Sequence, residues 1–424
     1  MAKVQLRKFP YPYKAALTIA NDLDNMTLDD FLEVRKFLNT DLETSMGRGL
    51  SLEIGETFWC YSLLPYEVTY LKGLSAVRTD YADILLELIK AGYLDCFHAY
   101  GDFNRWENPE NPVYFNRKLA EQAAEEFSRR GIKFDTFINH GDNYNIQNVA
   151  GQLLDNRGDI PDQDAYHNDI TMDILGVRFY WAGDLTAAVG QERALNFGDR
   201  KYYTFRAEHL VKGIAKDIFG KSDRKREVYG NELLRKLHLR DGRVAMEFPR
   251  YCYDYRYIEI PPGRDILKIQ LSDDILNRLI MNEGYMVIYT HFGQPKERET
   301  AGLFDPNLVE RFRSLKNYGD KGDIWITTTS RMLRYAYETK FLNWEYDIKP
   351  NGEIHIRING VGGPLDIKPT YQGLTFYVPE PEKTLVYVFN EKVENLRKNP
   401  DDGKGQSSVS IPIPSLEFPI DAIS

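Results

Sequence analysis

The sequence predicts an α/β fold: an irregular (β/α) barrel followed by a smaller β-rich unit. Three observations carry this. From about Ala15 to Glu338, helical stretches closed by glycine alternate with short apolar runs that end in polar residues, the mark of parallel strands joined by crossover helices. There are about seven or eight such runs, the number that closes or nearly closes a barrel, and their polar tips fall at the carboxyl ends where barrels keep their chemistry. Beyond Phe341 the pattern changes to alternating β segments separated by Gly, Pro and Asn turns,. The expected division is a barrel over residues 1–340, with an irregular, charge-rich insertion near 185–240, and a small antiparallel β domain with an extended tail over 341–424.

Each element has its own signal. Ala15–Ala20 is a short apolar run suited to a buried strand. It ends in Asn21-Asp22-Leu23-Asp24-Asn25, and carboxylates at a buried strand end are costly unless they face solvent, a metal or a substrate. Asp24 or Thr27 can also cap the helix that starts at Leu28. Leu28–Leu38 is amphipathic; Thr57–Tyr61 is an aromatic strand; Tyr81–Ala91 is a helix closed by Gly92. Tyr93–Tyr100 is a strand running into Gly101-Asp102. Leu119–Arg130 is a helix, and Lys133–Asn139 is a strand leading into His140-Gly141-Asp142-Asn143. The rhythm repeats through Val177–Trp181 with Gly183-Asp184, Arg243–Pro249, the helix Asp274–Met281 and the strand Tyr285–Thr290 ending in His291. It closes with Asn307–Lys316, Asp323–Thr328 and a helix from Ser330. In the second unit, Ile354–Ile358, Leu374–Val378 and Thr384–Phe389 alternate as β segments do, and the Pro-rich IPIPSLEFPI end reads as an extended tail laid on a surface.

Composition narrows the function classes. A net charge of −9 speaks against sequence-independent nucleic-acid binding, which needs a basic surface. The three cysteines, Cys60, Cys96 and Cys252, are too scattered for a disulfide framework or a thiolate zinc site and fit reduced, buried thiols. No run of about 18 apolar residues is present for a membrane span, and the first residues carry no apolar leader segment, so a cytoplasmic chain is expected. Apolar residues at 42% and charged residues at 28% are ordinary for a globular protein with a sizeable core.

The strand tips hold the candidate chemistry. Asp22 and Asp24 are two apart and in extended chain point the same way; two carboxylates aimed into one cavity are commonly reconciled by a divalent cation. His98 and Asp102 are four apart, on one side of an extended or a helical segment. A histidine with two carboxylates suits Zn²⁺, with Mn²⁺, Co²⁺ or Ni²⁺ as alternatives. His140, Asp142 and Asn143 follow at the next tip, where the competing reading is a tight turn that uses Gly and Asn for their backbone freedom. His291 ends a late apolar strand. Trp181 and Asp184 sit on the same rim, where an aromatic ring can hold a sugar.

In this order, ALTIANDLDN, FHAYGD and VIYTHFG resemble the motifs of the polysaccharide deacetylase (NodB-like, carbohydrate esterase) superfamily, and the closing GDIWITTTSRM is similar to the end of those barrels. The resemblance spans roughly the first 340 residues. It implies a divergent member of that barrel type: a metal-dependent hydrolase that removes an N-acetyl (acyl) group from an amino sugar or a polysaccharide precursor. It further implies Asp22 as general base, Asp24, His98 and Asp102 as metal ligands, His291 as the acid for the leaving amine, and a substrate pocket at His140, Asp142, Asn143, Trp181 and Asp184. The sequence departs from the family in three ways. Leu23 separates the two aspartates, so their roles can be exchanged, and Asp102 stands where a second histidine is usual. No arginine motif is evident. Two other classes compete: a glycoside hydrolase pairing Asp22 with Asp142 or Asp184, and a non-catalytic carbohydrate-binding protein.

Overall fold

Strand ladders place the candidate residues. The structure is a computed structural model that describes residues 4–103, 113–140, 145–150, 156–196, 199–201, 203, 230–253, 263–293, 303–403 and 405–423. A six-stranded sheet runs Arg235–His238, Val244–Glu247, Phe179–Trp181, Thr136–Ile138, Leu94–His98, Glu56–Phe58. Its neighbours are parallel except the first pair, which is antiparallel. A five-stranded parallel sheet runs Leu185–Thr186, Arg250–Tyr251, Tyr285–His291, Ala15–Asp22, Ile324–Ile326. The two sheets approach where Ala15–Asp22 lies alongside Glu56–Phe58. Asn21 Nδ2 there donates to Glu56 Oε1 at 2.5 Å.

Why these segments form strands is plain from their burial. Every residue of Ala15–Asp22 is buried, as a strand covered on both faces requires. The intervening helices turn their apolar stripes inward: Leu85, Leu86, Leu88 and Ile89 from Ala82–Lys90, and Leu119, Ala120, Ala123 and Phe127 from Arg117–Arg129. The first helix, Leu28–Asn39, is capped by Thr27, whose Oγ1 accepts from Asp30 N at 3.2 Å. Phe97, Phe127, Phe134 and Phe58 pack together beneath the strands.

Several expectations are corrected. Part of the predicted insertion belongs to the sheets, because Leu185–Thr186 and Arg235–His238 both pair with neighbours; residues 204–229 of it lie outside the described residues. The C-terminal unit is not purely antiparallel. Leu342–Ile348, Ile354–Val361, Thr384–Val388 and Glu391–Lys392 form one sheet, in which Ile354–Val361 and Thr384–Val388 run parallel. Nor does that unit begin at residue 341: Gln5–Leu6 from the start of the chain joins Thr375–Tyr377, Ser408–Ser410 and Arg397–Asn399 in a second four-stranded sheet. The helix Thr329–Lys340 links the units, with Met332, Leu333, Ala336 and Tyr337 in the same apolar cluster as Ile354, Ile356 and Phe376. The Pro-rich end has no helix or strand over residues 411–419. It lies on the first unit, with Leu416 N donating to Glu53 Oε1 and Phe418 packed edge-on against Tyr93. Among the described residues, no helix is long and apolar enough to cross a membrane.

Candidate metal centre

Parallel register brings the strand tips level. Asp22 is the register partner of His291 on adjacent strands, and His98 is the partner of Ile138, two residues before His140. Asp24 follows Asp22 by two residues past the strand end. Five side chains therefore meet at the carboxyl ends of parallel strands, where open α/β folds place their ligands.

One ligand atom from each of Asp24, His98 and His140 lies within 4.8 Å of the others, and the same is true of Asp22, Asp24 and His291. His140 Nε2 is 2.9 Å from Asp24 Oδ1. Asp24 Oδ2 is 3.8 Å from His98 Nδ1 and 3.6 Å from His291 Nε2, while Asp22 Oδ2 is 3.8 Å from both His98 Nε2 and His291 Nε2. Asp24 Oδ2 and both ring nitrogens of His98 are buried with no hydrogen-bond partner among the described residues. Such atoms are expensive to bury bare, and a carboxylate oxygen and an imidazole nitrogen are the donors a divalent cation takes. The residues fit that group.

The electrostatics agree. Burial acts against ionisation of Asp24, but the hydrogen-bonded His140, with His291 and His98 beyond it, outweighs that and holds the carboxyl well below the usual carboxylate range. Burial pushes the His98 imidazolium down to about 4, so at neutral pH its ring offers a lone pair rather than a charge. The ring is clamped by Trp59, which stacks on it at 5.2 Å and 11°.

Asp22 is occupied from the other side. Arg250 Nη1 and Nη2 donate to its two oxygens at 2.7 and 3.0 Å, a bidentate fork. The guanidinium lies between the rings of Trp181 and Tyr289, 3.5 and 3.7 Å from their centroids. The sequence motifs do not single this arginine out. Its signal in the sequence is one basic residue in the EFPRYCY strand tip, too common a feature to single out.

Three predicted site residues are engaged by groups other than the ligand set. Asp102 belongs to neither ligand group among the described residues. Ala99 adopts a left-handed backbone, φ 46°, so the strand turns after His98, and Gly101–Asp102 pairs instead with Tyr61–Ser62, beside Glu67. Burial and the nearby Asp102 push the Glu67 carboxyl up to about 8. Trp181 is spent on Arg250, and its Nε1 donates to Asp184 O at 2.7 Å. Asp184 is ion-paired with Arg235. His140, predicted to line the substrate pocket, stands with the ligands, and Asp142 and Asn143 lie outside the described residues.

The sequence reading also misses the amides that hold His140. Asn148 Oδ1 accepts from His140 N and Asn148 Nδ2 donates to His140 O, at 3.0 and 2.6 Å. Asn139 makes the same two-way clamp with Val149, and Asn145 Nδ2 reaches His140 Nδ1 at 2.5 Å. The only hint in the sequence is the run of amides in NIQN.

No protein-family model matches the chain, no curated protein matches it, and no solved structure matches it.

Proposed function

We propose that the protein is a metal-dependent hydrolase that removes an acyl group, an N-acetyl in the first instance, from an amino sugar or a polysaccharide precursor. In this reading the two sheets form the wall of an irregular barrel of the deacetylase type. The observation that carries it is the buried donor set of Asp24 Oδ2 and the His98 ring, unpartnered among the described residues, with His140 closing the group.

Asp24 and His98 would hold the cation, with His140 as the third side chain. When bound, such a cation polarises an acyl oxygen and acidifies a water beside it. Asp22, fixed in direction by the Arg250 fork, takes the proton from the attacking water. His291, at the tip of the neighbouring strand, returns a proton to the departing nitrogen. The two groups come from adjacent strands, Asp22 and His291 being register partners, so base and acid flank one small volume. A glycosidase pairing of Asp22 with Asp184 has less support, because Asp184 is held in an ion pair by Arg235.

Metal analysis of the purified chain tests the reading. Stoichiometric Zn²⁺, or another divalent ion, is expected in the wild type and lost in Asp24→Ala and His98→Ala. Free acetate is expected from a panel of N-acetylated amino sugars with the loaded wild type but not with Asp22→Asn. A chain that takes up no divalent ion sinks the proposal; one that takes it up and releases no acetate from any sugar is a binding protein instead.

A further inference from the structure

The amide chain behind His140 has a defined polarity, and backbone groups fix it. Tyr100 N donates to Gln147 Oε1 at 2.8 Å, and Gln147 Nε2 donates to Gly101 O at 2.7 Å. A backbone N–H only donates and a carbonyl only accepts, so the Gln147 amide cannot be reversed. Its Nε2 also donates to Asn145 Oδ1 at 3.1 Å. That leaves Asn145 Nδ2 as the group facing His140 Nδ1 at 2.5 Å. All of these side chains are buried, so no bulk water rearranges them. An Nδ1 that accepts a hydrogen bond carries no proton, and the neutral ring then bears it on Nε2, which points at Asp24 Oδ1 at 2.9 Å,.

This is the reverse of the usual arrangement at a metal site, where a ligating histidine donates its far N–H to an acceptor and offers a bare nitrogen to the ion. We infer that Asn145 is a positioning residue that holds His140 as the Nε2–H tautomer, donating to Asp24, and that cation loading reverses the Asn145 amide. The inference rests on the metal-centre reading above. On loading, the proton leaves Nε2 and one is taken up at Nδ1, so the imidazole stays neutral. Asn145 then turns Oδ1 toward Nδ1–H, its bond from Gln147 is lost and the two facing NH2 groups move apart, while Gln147 keeps Gly101.

The test is ring ¹⁵N spectroscopy of the full-length protein with labelled histidine, His140 being assigned by comparison with His140→Gln. The metal-stripped wild type is expected to show the Nε2–H pattern at His140, and the Zn²⁺-titrated protein the Nδ1–H pattern. In Asn145→Asp a carboxylate accepts from Nδ1–H in every state. The metal-stripped variant is therefore expected to show Nδ1–H already and to bind Zn²⁺ about tenfold more tightly than wild type. An Nδ1–H pattern in the stripped wild type overturns the inference. So does Zn²⁺ uptake with Nε2–H retained, or an Asn145→Asp affinity no higher than wild type. If that variant fails to fold, the two wild-type spectra decide. No Zn²⁺ uptake by the wild type overturns the metal-centre reading itself, a result distinct from uptake without a change of tautomer.

Discussion

At the scale of single residues, Arg250 shows how a buried charge is made tolerable. Neither it nor Asp22 has appreciable contact with solvent, and two aromatic faces replace the water the guanidinium has lost. Removing one partner of such a pair leaves the other bare. Arg250→Met is expected to cost about 3–5 kcal/mol of stability, read from urea denaturation. A cost below about 1 kcal/mol would show that Asp22 finds another partner. Asp95 gives a second case. Burial pushes its carboxyl up to about 7, although Ser330 N donates to Oδ2 at 2.6 Å. The folded chain therefore keeps a proton that the unfolded chain releases near pH 4, at about the ordinary aspartate value. Unfolding releases that proton between the two values, so this contribution is complete below pH 4 and is lost as pH rises through 7. Asp95→Asn is expected to flatten the decline in urea midpoint between pH 5 and pH 8. An unchanged slope would assign the decline to other groups.

At the scale of elements, the site exists because strand ends stop level and loops pass close. Gly293 is one such place: a Cβ built there would lie 2.0 Å from Asp24 O. Gly293→Ala is therefore expected to displace the Asp24 loop, lowering Zn²⁺ affinity by about tenfold or more in calorimetric titration, while helix content by circular dichroism holds. Much of this scale was legible. ALTIAND and YMVIYTH are apolar runs ending in ionisable residues, and the helices between strands show their apolar stripes openly. What was not legible is a turn inside a run. The spacing of His98 and Asp102 promised a shared side, but one left-handed residue, Ala99, sends Asp102 to a different pairing. His140 takes the third position because its strand lies next to that of His98. Lateral strand order is a property of the whole sheet and leaves no trace in local spacing. The same holds for Arg250, whose partner Asp22 is two strands away in the five-stranded sheet.

At the scale of the whole molecule, the candidate centre is a joint between sheets. Asp22 and His291 come from the five-stranded sheet and His98 from the six-stranded one. An ion that binds only the folded arrangement stabilises it by mass action, about 4 kcal/mol at a free concentration a thousandfold above Kd. Zn²⁺ is therefore expected to raise the thermal midpoint and excess chelator to return it; a midpoint indifferent to both would mean that no site is assembled on folding. A second joint lies where Gln5 faces Tyr377 across an antiparallel ladder. Because Gln5–Leu6 precedes the first unit and Thr375–Tyr377 follows it, this ladder closes a loop of chain around that unit and can form only after a long-range encounter,.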